Sequence, residues 1–595
     1  MIPRYLRTPF PRRAASALAA VLLCGCAAAG TSDSGAPAAE PDSWRQAAAG
    51  TTAVAQGSAA ATTSVYGNYL AGHFANRQQD LTAAARYMSR ALELAPENPE
   101  LLRRTFLLRA SVGDMDRALS LARRMADSPA EHGAATVLRT LAAIRQGELA
   151  QARAILKDLP ERGLGQLVAP LLGSWIALAE GSAPDNVAQL SHLDAIQGID
   201  LLRQVHAALI HDLSQRPAKA RKAFDAATQD TDVLSLRLVW LAANFYARAG
   251  DPERADALMG TYLKRNPDSS TAKLIRQRLA AAESPDRLVT NAEQGLAEAL
   301  FNIAGLLNQQ GATDLALLYG RLSLYMHPDF DFGQMLLGEV LQNQERSAAA
   351  IEAYRAVPTE SPFSYVARLR VASELQNLGR PDEAVAMLEK LAAQEPERYE
   401  PLYRAGNVHR SEQAFTEAAA AYRGALERLG ETQARHWSLH YFLGIALERT
   451  DRWEAAEAQF KRALALKPEQ PYVMNYLAYS WVEQEINLDK AQEMLQRAVE
   501  QRPEDGFIVD SMGWVYYRLG HYDKAVRYLE RAVELRPNDP VINDHLGDAY
   551  WKVGRRREAR FQWHRALSLD PETDVRARIE TKLDGGLDAA DRPDG

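Results

Sequence analysis

Small and apolar residues recur along the C-terminal part of the chain at a fixed interval of 34 positions. Gly513, Tyr516, Gly520, Ala525, Ala532 and Pro537 reappear as Gly547, Tyr550, Gly554, Ala559, Ala566 and Pro571. Each unit predicts two helices. Gly513 and Ala532 are small enough for the pair to approach closely, Gly520 suits the turn between them, and Pro537 ends the second helix because it cannot continue one. The alanine of the second helix can be followed through most of the chain: Ala84, Ala118, Ala152, then Ala220 and Ala255, then Ala316, Ala350, Ala384, Ala418, Ala456, Ala491, Ala525 and Ala559. Prolines stand twelve residues after many of them, from Pro96 through Pro267 and Pro328 to Pro571. No alternation of apolar and polar residues marks a strand. The pattern predicts about thirteen or fourteen helical hairpins.

Three interruptions qualify the period. Residues 130–240 are degenerate, with Gly147, Ala152 and Gly181 kept but Asn186 in place of the alanine. The 61-residue interval from Ala255 to Ala316 has room for an extra helix after Thr271 and a turn near Ser284 and Pro285. It reads either as a junction between two arrays or as a drifted repeat. The step from Ala418 to Ala456 is 38 residues and holds a lengthened loop at Gly430–Gln433.

The 34-residue Gly/Tyr/Ala/Pro unit resembles the tetratricopeptide repeat (TPR). That resemblance implies an all-α fold, a right-handed superhelical solenoid of TPR and TPR-like hairpins covering roughly residues 65–575. The expected layout is a lipoprotein signal peptide over 1–25, a lipidated flexible tether over 26–64 and an N-terminal array over 65–269. An irregular junction follows over 270–296, then a C-terminal array over 297–575, then a helical end and disordered tail over 576–595. The tail from Asp584 has turn formers and no apolar face.

The N-terminus adds a cellular address. Arg4, Arg7, Arg12 and Arg13 precede an apolar run, Ala14–Leu23, too short to span a bilayer. Leu23-Cys24-Gly25-Cys26 then resembles a bacterial lipoprotein processing site, which implies cleavage before Cys26 and its lipidation. An ordinary secretory signal cleaved near Ala27–Ala29 is the alternative. With Ala27 next, the outer membrane facing the periplasm of a Gram-negative bacterium is the implied location. Residues 27–64 are rich in Ala, Gly, Ser and Thr, a tether with a reach of about 30–37 Å. Cleavage removes Cys24, so the mature chain can form no disulfide.

Charge and composition exclude more than they assign. The chain carries a formal net charge of −7, or −11 without its first 25 residues, against the basic field of a nucleic-acid binder. No nucleophile elbow, phosphate loop, metalloprotease helix or dinucleotide-binding glycine run is present, so no catalytic residue, metal or cofactor is expected. His436 and His440 have i, i+4 spacing but no adjacent third ligand, and Trp437 and Tyr441 beside them suggest an aromatic packing patch. His206 and His211 lie off a common helical face. Lys552, Arg555, Arg556, Arg557 and Arg560 read as a solvated helix start or as a site for an acidic partner.

In TPR arrays the first helices line a concave face that receives partner segments. Carried onto this chain, the repeat pattern places Tyr403, Asn407 and Arg410 there, then Tyr441, Asn475 and Tyr479. Asp510, Trp514 and Tyr517 follow, and then Asp544, Asp548 and Trp551. Tyr, Trp and Arg are enriched in interface hot spots. Asn407 matches the carboxylate-clamp type of groove, but Tyr403 stands where its lysine belongs, so recognition of a free C-terminal carboxylate is not expected. The layout resembles the TPR lipoprotein adaptors of periplasmic C-terminal processing proteases. It implies a non-enzymatic scaffold that holds a periplasmic protease, cell-wall hydrolases or other envelope proteins, and touches the membrane through its lipid alone. Two alternatives stand beside it: an assembly component of a polysaccharide-export, secretion or pilus apparatus, and an enzyme hidden in the degenerate region.

Overall fold

A computed structural model describes residues 64–126, 133–160, 162–181, 185–196, 198–230 and 234–587. The expected signal peptide, Cys26 and nearly all of the tether lie outside the described residues, as does the tail from 588. Among the described residues every regular element is a helix, and no helix is long and apolar enough to cross a membrane. The chain divides by contact into two compact units, up to Ala384 and from Val385.

One local rule builds the hairpins in both units. Every alanine of the predicted series is 4% exposed or less, and most are fully buried. In six of the hairpins the residue opposite it on the first helix is a glycine (Gly72, Gly338, Gly406, Gly444, Gly513 or Gly547), which makes room for a larger side chain four residues after the alanine. A Cβ on Gly406 would lie 2.5 Å from the Tyr422 ring, one on Gly444 2.5 Å from Phe460, and one on Gly547 2.4 Å from Trp563. The turn five residues before the alanine is left-handed. Gly520 and Gly554 take φ of 77° and 83° there, where glycine costs least. Gln79, Gln215, Gln413 and Asp451 hold the same turn without glycine, at φ of 61°, 59°, 59° and 58°. Most second helices that have the proline stop two residues short of it, as Tyr522–Leu535 does before Pro537, because the residue preceding a proline is disfavoured in the helical region.

In the first unit the hairpin between Leu164–Ala179 and Asp200–Leu213 departs from this rule. Its second element is a 3-10 helix, Asp185–Ala195, on which Leu190 and Leu193 are buried. Side chains three apart eclipse one another in a 3-10 helix, so that spacing keeps both leucines on one face. Here the lost alanine signalled a real change of element. The long interval holds the helix Ser270–Ala281 and then non-helical chain to Asn291, as the extra-helix reading expected, and both lie within the first compact unit.

The same unit fills its own interior. The helix Ala292–Gln309 is buried continuously from Gly295 to Leu307, without the polar face of a surface helix. It packs on Leu164–Ala179 and Asp200–Leu213, and its partner Thr313–Met326 packs on Pro99–Ser111 and Gly133–Arg145. All four receiving helices are first helices. Trp175 lies against Gly295, where a Cβ would come within 2.2 Å of its ring. Arg237 pairs with Glu298, both buried, and Arg321 Nε donates to Ser111 O at 3.3 Å.

In the second unit, hairpins follow from Glu400–Ser411 and Phe415–Leu429 to Pro540–Lys552 and Arg556–Ser568, and one buried core runs through them from Ala418 to Leu587. A last helix, Thr573–Gly585, lies on Arg556–Ser568. It carries Asp584 and Gly585 in the helix, and Leu587 beyond it is 3% exposed. The expectation of a tail without an apolar anchor from Asp584 is corrected at that point.

Candidate protein-interaction surface

The first-helix row of the second unit differs along its length. Tyr403, Asn407, Arg410, Tyr441, Asn475 and Tyr479 are half-buried. Tyr403 Oη lies 3.4 Å from Ser438 Oγ, and Asn407 Oδ1 accepts from Tyr422 Oη at 2.8 Å. The Arg410 guanidinium sits 4.4 Å from the Phe442 ring centroid, and Tyr441 meets Tyr476 edge-on at 6.0 Å. Arg410 Nε and Asn475 Oδ1 have no hydrogen-bond partner among the described residues. Burial raises the Tyr441 and Tyr479 hydroxyl pKa values, and at Tyr479 the nearby Glu483 and Asp510 raise it further, so both stay neutral donors. The stretch thus combines aromatic faces with amide, hydroxyl and guanidinium groups at fixed positions.

The far end of the row is closed. Asp510, Trp514, Asp544 and Asp548 are all under 10% exposed, which corrects their place in a partner-facing lining. Trp514 stacks on Tyr517 at 4.7 Å and on His545 at 4.0 Å, and its Nε1 donates to Glu483. His545 Nδ1 lies 3.0 Å from Asp510 Oδ1. Lys582 of the last helix donates to both Asp544 oxygens at 2.8 Å and to Asp548 Oδ2 at 2.8 Å. Burial works against the Lys582 charge, but Asp548 and Asp544 outweigh it and hold its pKa above the usual value. Burial, and then the neighbouring Asp544, push Asp548 up to about 6 despite Lys582. His545 is raised too, the carboxylates of Asp510, Asp544 and Asp548 overcoming its burial. Trp551 is half-buried against Trp563 at 5.3 Å, and Gly586 leaves room for its ring.

The histidines carry packing and hydrogen bonds. His440 Nδ1 lies 2.7 Å from Gln459 Oε1, and His436 Nδ1 accepts from Gln433 N at 3.0 Å. His206 is held neutral, its pKa lowered to about 3 by burial, and its Nδ1 accepts from Trp175 Nε1 at 3.1 Å. Within the basic run, Arg555 pairs with Glu558 and Glu530, and Arg556 lies 5.0 Å from the Trp551 ring centroid. Sequence reasoning missed Lys582. Its signal was the period itself, because Lys582 stands 34 residues after Asp548.

Comparison with known proteins agrees with the repeat. Two tetratricopeptide-repeat family models match, one at residues 510–539 and the other at 369–434 and 425–471. The TPR repeat-containing protein PA4667 of Pseudomonas aeruginosa is 27% identical over 195 residues, 32% of this chain and 32% of that protein. The match therefore spans about a third of that relative's length. Among solved structures, the APC/C hetero-tetramer Cut9-Hcn1 is 16% identical and covers 88% of this chain and 97% of its own, with a TM-score of 0.36. Yeast Tom70 is 14% identical over 88% and 95%, with a TM-score of 0.30. YrrB, described as a TPR protein with an unusual peptide-binding site, is 22% identical over 31% and 94%, with a TM-score of 0.27. This chain carries tetratricopeptide repeats in an all-helical fold, and such repeats are in general non-enzymatic scaffolds for protein–protein interaction.

Proposed function

We propose that this tetratricopeptide-repeat chain is an outer-membrane adaptor, anchored through lipid on Cys26, that holds periplasmic proteins on the first-helix row of its second unit. The observation that carries the proposal is selective occupancy. The first unit's row is filled by Ala292–Gln309 and Thr313–Met326, and the end of the second unit's row by Lys582. What stays half-buried between Tyr403 and Tyr479 is the mixed aromatic, amide and guanidinium surface from which hot spots are made. A protease of the periplasm and the cell-wall hydrolases it degrades are the partners that the lipoprotein layout suggests.

The test is purification of the full chain from detergent-solubilised membranes, wild type against Arg410→Ala/Asn475→Ala, with bound proteins quantified by mass spectrometry. A protease or hydrolase retained by wild type and depleted in the variant supports the adaptor. Equal retention of polysaccharide-export, secretion or pilus proteins by both would move the account to an assembly component. Cys26→Ala should release the chain into the soluble fraction, and an unchanged membrane fraction would remove the anchor from the proposal.

A further inference from the structure

The first described hairpin, Val65–Arg77 with Leu81–Leu94, presents an apolar stripe. Tyr66, Leu70 and Phe74 follow one another at intervals of four and are 81%, 65% and 65% exposed. Four residues on a helix is about one turn, so the three share a face. The repeat itself shows what covers that face elsewhere. Counted from the packing alanine, the counterparts of Phe74 include Val340, Val408, Ala446, Val515 and Ala549, each 3% exposed or less. In the later hairpins the first helix packs on the second helix of the hairpin before it, as Gly506–Arg518 does on Leu488–Gln501.

Arg90 leads to the same place from a different observation. An arginine six residues after the packing alanine reaches back to the preceding turn. Arg124 Nη2 donates to Pro96 O at 2.7 Å, and Arg565 Nη2 to Asn538 Oδ1 at 2.8 Å. Arg90 stands at that position in the first hairpin, and no preceding turn exists for it among the described residues.

We infer that this face docks a second copy of the chain, first hairpin to first hairpin. The surface it fits is the stacking face of another hairpin. The last hairpin of a copy cannot offer one, because Thr573–Gly585 covers it with Ile579 fully buried. Among the described residues the stacking face left open is that of the first hairpin, so the contact is isologous and closes at two copies. The same hairpin carries exposed charges of both signs, Arg77 and Arg86 with Asp80 and Glu93, so in a two-fold pairing one copy's cations can face the other's carboxylates. Its size also fits. Side chains of this class cover roughly 150–250 Å² when aromatic, so the stripe leaves on the order of 400 Å² of apolar surface per copy. That is about half of the ~800 Å² each partner gives to a standard interface.

The full chain, purified in detergent, is examined by sedimentation equilibrium as wild type, Leu70→Glu/Phe74→Glu and Arg90→Ala. The expected result is a wild-type dimer whose dissociation constant rises by about 30-fold or more in the double variant, as for loss of a hot spot, and less in Arg90→Ala. Circular dichroism should show the same helix content in all three, since these side chains are at the surface. Because two glutamates could still disturb the helix, Phe74→Ser is measured as well and is expected to weaken the dimer without changing the melting temperature. A wild-type monomer at tens of micromolar overturns the inference, and so does a dimer unaffected by every substitution. Binding of a monomeric wild type to phosphatidylglycerol vesicles, lost in the double variant, would also overturn it and give the stripe to a lipid surface.

Discussion

Lys582→Met keeps the length of the side chain and removes its charge, which isolates what the ammonium does. In the wild type one Nζ serves three carboxylate oxygens at 2.8 Å, from two aspartates that are each 4% exposed. Removing one partner of a buried ion pair typically costs about 3–5 kcal/mol, because the remaining charge is stranded. If the last helix stays docked, Asp544 and Asp548 face each other without a cation. If it lifts, Ile579 and Leu587 lose their cover. Either way, protection of the Thr573–Gly585 amides should fall by roughly two to three and a half decades at pH 7.5, at 1.36 kcal/mol per decade. The loss has a signed pH dependence. Asp548 has its folded pKa raised to about 6, above the unfolded value. The folded state therefore holds an extra proton between about pH 4 and 6, and stability falls as pH rises through that window. Without Lys582 the window moves upward, so the variant should regain much of its protection at pH 5. Asp548→Asn added to Lys582→Met should regain part of it at pH 7.5. The assay is hydrogen–deuterium exchange with mass spectrometry over residues 573–587, corrected for intrinsic rates. Equal protection of wild type and Lys582→Met at pH 7.5, or a loss of the same size at pH 5, would refute the reasoning.

Other substitutions test the packing rules. Gly444→Ala forces a Cβ to 2.5 Å from Phe460 and should cost about 1–3 kcal/mol as overpacking, whereas Gly305→Ala, with nothing within 4 Å, should be neutral or slightly stabilising; denaturant titration separates them. Gln413→Gly relieves a left-handed residue that costs about 1–2 kcal/mol, less the chain entropy of glycine, and should raise the melting temperature, while Gly520→Ala should lower it. Glu298→Gln strands a buried Arg237 and should cost about 3–5 kcal/mol, whereas replacing both residues by apolar ones of similar size should recover most of that. Calorimetry of the three proteins gives the comparison.

The hairpins were legible because their rule is local. An alanine and the small residue twelve positions before it meet within one hairpin, so spacing alone exposes them, and Ala84, Ala316 and Ala559, opposite Gly72, Ala304 and Gly547, all came out fully buried. What covers the first-helix rows was not legible from spacing. Periodicity says that Asp544 lies on the row but is silent about which distant segment lands there, and Lys582 arrives from a helix that reads as polar. Ala292–Gln309 gave a different signal, apolar residues on every side, which marks a helix enclosed by others but names no neighbour. The 3-10 element at Asp185–Ala195 lay between these cases. The missing alanine showed that the hairpin had changed, and the two leucines three apart show in retrospect how.

The central claim is that partners lie on the first-helix row between Tyr403 and Tyr479, and in-cell photo-crosslinking tests it most directly. A photoreactive residue replaces Asn407 or Asn475 on that row, or Gln496 or Arg531 on second helices, in the full chain. The account predicts crosslinks to the same envelope proteins from Asn407 and Asn475 and none from Gln496 or Arg531. Crosslinks only from Gln496 and Arg531, or equally from all four, would contradict it.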